Sequence, residues 1–320
     1  MIVAFLFALL SAVAWAEEPP LPKSHKSRTD QNPKIETKLE VIASGLDSKS
    51  FKIAGFPVPG SGIDGDRSGS IEVILEKKKG RFVASSSIRQ VGGTIVDQTE
   101  DLAKVRLPPG RIYELARTTP GVRFIRLPHR PVVFAEKMGA PQGGYNTPGV
   151  NMTGASLYQV NNYLGQGVKI AVIDVGFASY NLAEESGQLP KDIVVETKDY
   201  TGNGFLTGSA HGTGVAEIAH DVAPSAKLYL KKVGDEVDLS AAVHDAVSQE
   251  VDIIVHSVGW LNTNFGDGTG VVADIAREAT SNGILWVNAA GNAARKHWEG
   301  PIRDYDEDRW VEFATGKDST

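Results

Sequence analysis

The chain has 320 residues, 41% of them apolar, with no cysteine and a formal net charge of −6 from 33 basic and 39 acidic side chains. That length fills one large or two ordinary domains, and the acidic balance argues against a nucleic-acid partner, which calls for clustered Lys and Arg. The lack of cysteine excludes disulfide staples and thiol nucleophiles and suits an exported protein of bacterial type.

Residues 2–10 are an unbroken apolar run, and small residues follow to Ala14-Trp15-Ala16 before Glu17. This is the layout of a secretory signal over 1–16, although no Lys or Arg precedes the run. The run is too short to cross a bilayer, a retained anchor being the alternative, and no other membrane segment is read further on. The expected location is secreted, or periplasmic and cell-envelope. Glu17 to about Ser50 is rich in Pro, Lys, Ser and Thr with little periodicity, and 17–69 is read as a flexible linker. Inside it Asp64, Asp66 and Ser68 have the spacing of the first ligands of a calcium loop. Leu75 stands where such a loop needs a bidentate Glu, so a surface turn is preferred.

A small α+β unit is expected over 70–133. Ile71, Val73 and Leu75 alternate with charges, as do Ala103, Val105 and Leu107 with Lys104 and Arg106, which predicts two half-buried strands. Gly92-Gly93 introduces another strand at Thr94 to Asp97, and Val83 to Gln90 is the stretch available for a first helix. Ile112, Leu115 and Ala116 make a short amphipathic helix that stops before Pro120-Gly121, and Val122 to Leu127 supplies a last strand. Residues 134–150 are a Gly- and Pro-rich connector, the kind of exposed segment that proteases cut.

The large domain spans 151–320. Ile170 to Ile173 is an apolar run with the pattern of a strand buried on both faces of a parallel sheet, and Asp174 ends it, where functional groups of such sheets sit. His211 opens an element in which Val215, Ala216, Ile218 and Ala219 fall at helical spacing, with Gly212 and Gly214 leaving room around it. A carboxylate at a strand end and a histidine at a helix start can meet, within about 3 Å. The carboxylate then fixes the imidazole tautomer while the other ring nitrogen takes a proton. Further on, a helix over Leu239 to Val247, a strand Val251 to Val255, a helix Val271 to Ala279 closed by Gly283, and a strand Ile284 to Val287 alternate. The fold class is α/β, a three-layer domain on a parallel sheet.

At these residues the chain resembles the subtilisin-like serine peptidases. It has Asp174 first and His211 second, then VAPSAKLYLKKV (Val222 to Val233), HSVGW (His256 to Trp260) and WVNAAGN (Trp286 to Asn292) in that order. The resemblance implies that Asp174 is the orienting acid, His211 the general base and Asn292 the side-chain donor to the oxyanion. Ser257, Val258 and Gly259 would line the substrate groove, and 70–133 would be a ferredoxin-like propeptide, an intramolecular chaperone and inhibitor. Val175 stands where the family has Ser or Thr, and Gly214 and Glu217 replace a His and a Gly. No Gly-Thr-Ser, the family's nucleophile segment, occurs in these 320 residues. The chain is therefore read as the N-terminal part of a longer protein whose serine follows Thr320.

The implied function is a secreted serine endopeptidase with a removable propeptide, a zymogen acting on protein or peptide substrates. Its partners are substrate and its own propeptide, with no nucleic acid, and no membrane once the signal is removed. A non-catalytic peptide-binding module of the same fold is the alternative. A nucleotide-binding domain is disfavoured, because no Gly-x-Gly-x-x-Gly follows the first large-domain strand. The chemistry needs no cofactor. Asp304, Asp306 and Asp308 alternate in RDYDEDRW and could converge on a structural calcium ion, against the simpler reading of a solvated acidic turn.

Overall fold

A computed structural model describes residues 32–43, 70–133, 148–261, 263 and 266–292, with two short strands at 312–314 and 317–318. The signal segment, most of the linker with its Asp64 loop, the connector over 134–147 and the acidic run at 304–308 lie outside the described residues.

The N-terminal unit begins earlier than its sequence suggests. Helix α1 (Thr37–Ala43) lies within the stretch read as linker, a correction to that reading. Ile35 and Leu39 are buried in the core of the unit, with Ile42 and Ala43 packed against it. The Glu36 N–H also donates to the Ile125 carbonyl at 2.9 Å. Leu39 and Ile42 are spaced at i and i+3 on the helix and Ile35 stands just ahead of it in a bridge to Ile125, an apolar set hidden among the polar residues around it.

The unit continues as β1 (Ile71–Lys77), α2 (Ser85–Gln90), β2 (Thr94–Gln98), β3 (Leu102–Leu107), α3 (Ile112–Thr118) and β4 (Val122–Arg126). The four strands form an antiparallel sheet in the order β2-β3-β1-β4. Ile71, Val73 and Leu75 of β1 join Ala103, Val105 and Leu107 of β3 in a core closed by Ile88 of α2 and by Ile112 and Leu115 of α3. β1 and β3 are not half-buried as their alternation suggests. Their other face also lies against protein: Ile74 and Leu102 close on Val237, which belongs to the large domain, with Val271 packed beside them.

The large domain opens with the short helices α4 (Gly149–Met152) and α5 (Ala155–Gln159). It then alternates β5 (Lys169–Asp174), α6 (Tyr180–Glu185), β6 (Val194–Asp199), α7 (His211–Val222), β7 (Lys227–Lys232), α8 (Glu236–Ser248), β8 (Ile253–His256), α9 (Val271–Ser281) and β9 (Leu285–Asn288). The strands form one five-stranded sheet in the order β6-β7-β5-β8-β9, with every pair parallel. Strand alternation divides β5 between two cores. Ile170 and Val172 pack with Phe177, Ala183 and Ala216 on one face, whereas Ala171 and Ile173 pack with Leu239, Ala242, Val243, Ile275 and Ala279 on the other. The domain is thus three-layered, α6 and α7 lying opposite α8 and α9. A two-stranded antiparallel pair, β10 (Glu312–Ala314) and β11 (Lys317–Asp318), lies further along the chain. Among the described residues no helix is long and apolar enough to cross a membrane.

The place of α1 is checked by Leu39→Ala, which empties a site that is 0% exposed. Large-to-small changes of this kind cost about 2–5 kcal/mol. Denaturant unfolding of the full chain should show a loss in that range, and an unchanged midpoint would mean that α1 is not docked in solution.

Candidate active site

β5 lies between β7 and β8, so its end is held from both sides. Asp174 stands opposite Lys232 in the parallel register with β7, and its carbonyl accepts from the Val233 N–H at 2.9 Å. Its carboxylate is fully buried. Oδ1 accepts from the Val175 N–H at 2.8 Å, and Oδ2 lies 2.8 Å from Nδ1 of His211.

His211 comes from the other side of a tightly laced turn. It is the first residue of α7, and its N–H, one of the donors a helix start leaves free, is capped by Ser209 Oγ at 3.1 Å. The loop before α7 and the loop after β5 are joined by Gly212 N–H to Gly176 O at 3.0 Å and Ala178 N–H to Ser209 O at 3.1 Å. Thr213 Oγ1 adds a bond to the Ala178 carbonyl at 3.0 Å. This lacing requires glycine at two positions. A Cβ on Gly176 would lie 2.5 Å from backbone atoms of Ser209, and one on Gly212 would lie 2.7 Å from the Gly176 carbonyl and 2.8 Å from Asp174 Cβ. Each of these distances is shorter than a van der Waals contact, so a methyl group at either site pushes the histidine loop off the aspartate.

The hydrogen bond to Asp174 raises the His211 pKa above its ordinary 6.5, against an opposing effect of burial. At pH values where the ring is neutral, Nδ1 keeps its proton for Oδ2 and the lone pair stands on Nε2, the state of a general base.

The carboxyl end of the sheet gathers the other positions singled out by sequence. Ser257, Val258 and Gly259 follow β8 directly; Val258 is fully buried, while Ser257 and Gly259 are part-exposed. Gly259 is paired with the N-terminal unit: Val132 N–H donates to Gly259 O at 2.8 Å, and Gly259 N–H donates to Val132 O at 2.9 Å. The pairing is antiparallel and carries Val133 back toward Val258. Asn292 lies four residues beyond β9, exposed, in the loop leaving the same edge of the sheet. Among the described residues no group of three or more His, Cys, Asp or Glu could hold a metal ion.

His256, which sequence reading passed over, is fully buried at the end of β8. Nδ1 donates to the Ile173 carbonyl at 2.8 Å, and Nε2 accepts from the Trp260 indole N–H at 3.0 Å. Burial lowers its pKa, and only the neutral ring can make both bonds. His256 thereby ties the residue before Asp174 to the segment after Gly259. A histidine closing an apolar strand four residues ahead of a tryptophan was the available signal.

The fold and the paired Asp and His define a parallel α/β domain with an acid–base couple at the carboxyl edge of its sheet. Residues 165–308 match the model of the subtilase family, peptidase S8, and over that part the chain is similar to its members. Subtilisin E of Bacillus subtilis (strain 168) is 28% identical over 228 residues, covering 64% of this chain and 53% of that protein. A subtilisin of Bacillus pumilus is 30% identical over 165 residues, 45% of this chain and 54% of that protein. The chain spans about half the length of the curated relatives it matches. Among solved structures, the epidermin leader peptide processing serine protease of Staphylococcus aureus aligns at 15% identity and a TM-score of 0.43, over 72% of this chain and 65% of that one.

Because the Asp174 contact favours the charged ring, it adds stability that is present in full below the free imidazole pKa of 6.5. That contribution fades as the pH rises through the raised native value. NMR titration of His211 should therefore give a midpoint above 6.5 that falls in Asp174→Asn. A wild-type midpoint at or below 6.5 would show that the pair is not formed.

Proposed function

We propose that the protein of which this chain is part is a secreted serine endopeptidase, made with an N-terminal inhibitory unit that it removes itself. The observation that carries this reading is the buried hydrogen bond between Asp174 Oδ2 and His211 Nδ1 at the carboxyl edge of the sheet. The match of residues 165–308 to the subtilase family supports it.

The chemistry follows from the tautomer. Nε2 of His211 accepts the proton of a serine hydroxyl as its oxygen bonds to the substrate carbonyl carbon. The imidazolium that forms is held by Asp174 and returns the proton to the leaving amine as the C–N bond breaks. Water repeats the sequence on the acyl-enzyme and frees the serine. The side-chain amide of Asn292 is assigned to the developing oxyanion. The serine is expected from sequence that follows Thr320.

Ser257 to Gly259 is proposed as the groove for the substrate backbone. The two hydrogen bonds between Val132 and Gly259 are the ladder an extended peptide would make there. Because they come from the chain's own N-terminal unit, the groove is filled in the uncut protein. A tether gives an effective concentration on the order of millimolar, so weak contacts suffice until the connector is cut. We place that cut in the residues just after Val133. The same ladder also suits a peptide-binding module that does not cut.

In the complete protein, N-terminal sequencing should find the mature form beginning between Val133 and Thr153, and His211→Ala should accumulate as the uncut precursor. Identical processing of both would mean that another protease makes the cut. Asn292→Ala should lower turnover about 10²- to 10³-fold with little change in substrate binding, the range known for the equivalent donor of subtilisin. An unchanged turnover number would remove Asn292 from the oxyanion site.

A further inference from the structure

A second set of buried charges lies where the two units meet, and the chemistry above does not use it. α8 opens with three carboxylates, Asp235 as N-cap and Glu236 and Asp238 in the first turn, none of them more than 2% exposed. Asp235 Oδ1 accepts from the Val237 and Asp238 N–H groups at 3.0 and 3.1 Å, and Asp238 Oδ2 accepts from the Gly234 N–H at 3.0 Å. These backbone donors and the helix dipole favour negative charge here. They do not offset three carboxylates crowded out of water: burial pushes the Glu236 carboxyl up to about 7 and that of Asp238 to about 6.

Among the described residues, every cationic partner of the three comes from the N-terminal unit. Lys104 on β3 reaches Asp235 Oδ2 at 2.7 Å and also pairs with Asp238. Arg126 at the end of β4 pairs with Glu236 and is braced by Glu76 of β1 through Nε at 2.8 Å. Arg130 donates to the Gly234 carbonyl at 3.0 Å and stands 3.7 Å from Asp235, with Glu72 of β1 behind it at 3.8 Å. The His129 N–H completes Glu236 at 2.9 Å. Ile74, Leu102 and Val237 close over these charges as the apolar part of the contact.

Such a contact discriminates more than it stabilises. A buried pair gains little over a well-packed apolar one, but losing one partner strands the other without a counter-charge. A docking unit without cations at 104, 126 and 130 would bury bare carboxylates.

We propose that the first turn of α8 is a charge-coded receptor for the N-terminal unit. Asp235, Glu236 and Asp238 admit a partner that presents Lys104, Arg126 and Arg130, hold it after the connector is cut, and reject units that lack this set. The proposal rests on reading the N-terminal unit as detachable, but its test needs no bond cut by this protein.

A recognition sequence for an added protease is placed between Pro141 and Gly144, and the full chain is folded intact and then nicked. Native mass spectrometry over a dilution series measures how tightly the two pieces stay together. The nicked wild type should remain one complex at micromolar concentration. Lys104→Glu and Asp238→Lys should each weaken it on the order of 10²- to 10³-fold, and the double variant carrying both should recover at least tenfold. Glu236→Gln, nearly isosteric, should weaken it roughly tenfold even if the reversals fold poorly. Arg111→Glu, in the exposed Arg111–Glu114 pair, should leave affinity within about threefold. Melting of the intact chains reports whether each variant is folded. Charge variants as tight as wild type, wild-type pieces that separate as readily as the variants, or a double variant no tighter than the singles would each overturn the proposal. A complete protein, serine included, that never processes itself, while the nicked pieces of this chain stay charge-held, would sink the peptidase reading alone.

Discussion

The arrangement of this protein depends on one strand held on all sides. β5 has strands on both edges and apolar cores on both faces, so the only place it can present a polar side chain at low cost is its end. Asp174 stands there, and its buried carboxylate has to be satisfied by what surrounds it. One oxygen takes the next backbone N–H and the other takes His211. The two glycines opposite each other, Gly176 and Gly212, are the steric condition for that closeness, since either Cβ would separate the loops that carry the pair.

His256 extends this logic along the edge. Its ring uses one nitrogen to hold the β5 carbonyl next to Asp174 and the other to hold Trp260, so the acid and the segment after β8 share a rigid link. Positional precision at the edge thus comes from neutral hydrogen bonds inside the protein. A charged His256 would forfeit the bond that its Nε2 accepts from Trp260.

The N-terminal sheet shows how one pattern can serve two surfaces. Its residues alternate as if one face met water, with Glu72, Lys104 and Arg106 between apolar neighbours and Glu76 after Leu75. Only Arg106 among these is largely exposed; Lys104 is buried against α8, and Glu76 braces the buried Arg126. Polar residues at the positions expected to face solvent make an interface when another body supplies opposite charge.

The sequence by itself determined the class of the large domain, because a run such as Ile170 to Ile173 followed by Asp174 is dictated locally by strand alternation and by the expense of burying a carboxylate mid-strand. It also marked His211, whose neighbouring glycines announce close backbone approach, and singled out by motif order the segments that follow β8 and β9. Tertiary structure alone decided the rest. Ile35 and Leu39 were lost among polar neighbours because too few residues surround them to establish a period. His256 became a tie only when β5 was laid beside β8, and Asp235, Glu236 and Asp238 stand just ahead of the helix expected over Leu239 to Val247, where nothing local marks them. Their partners lie more than a hundred residues earlier, and pairing across that separation is fixed by how two folded surfaces meet, which no local pattern encodes.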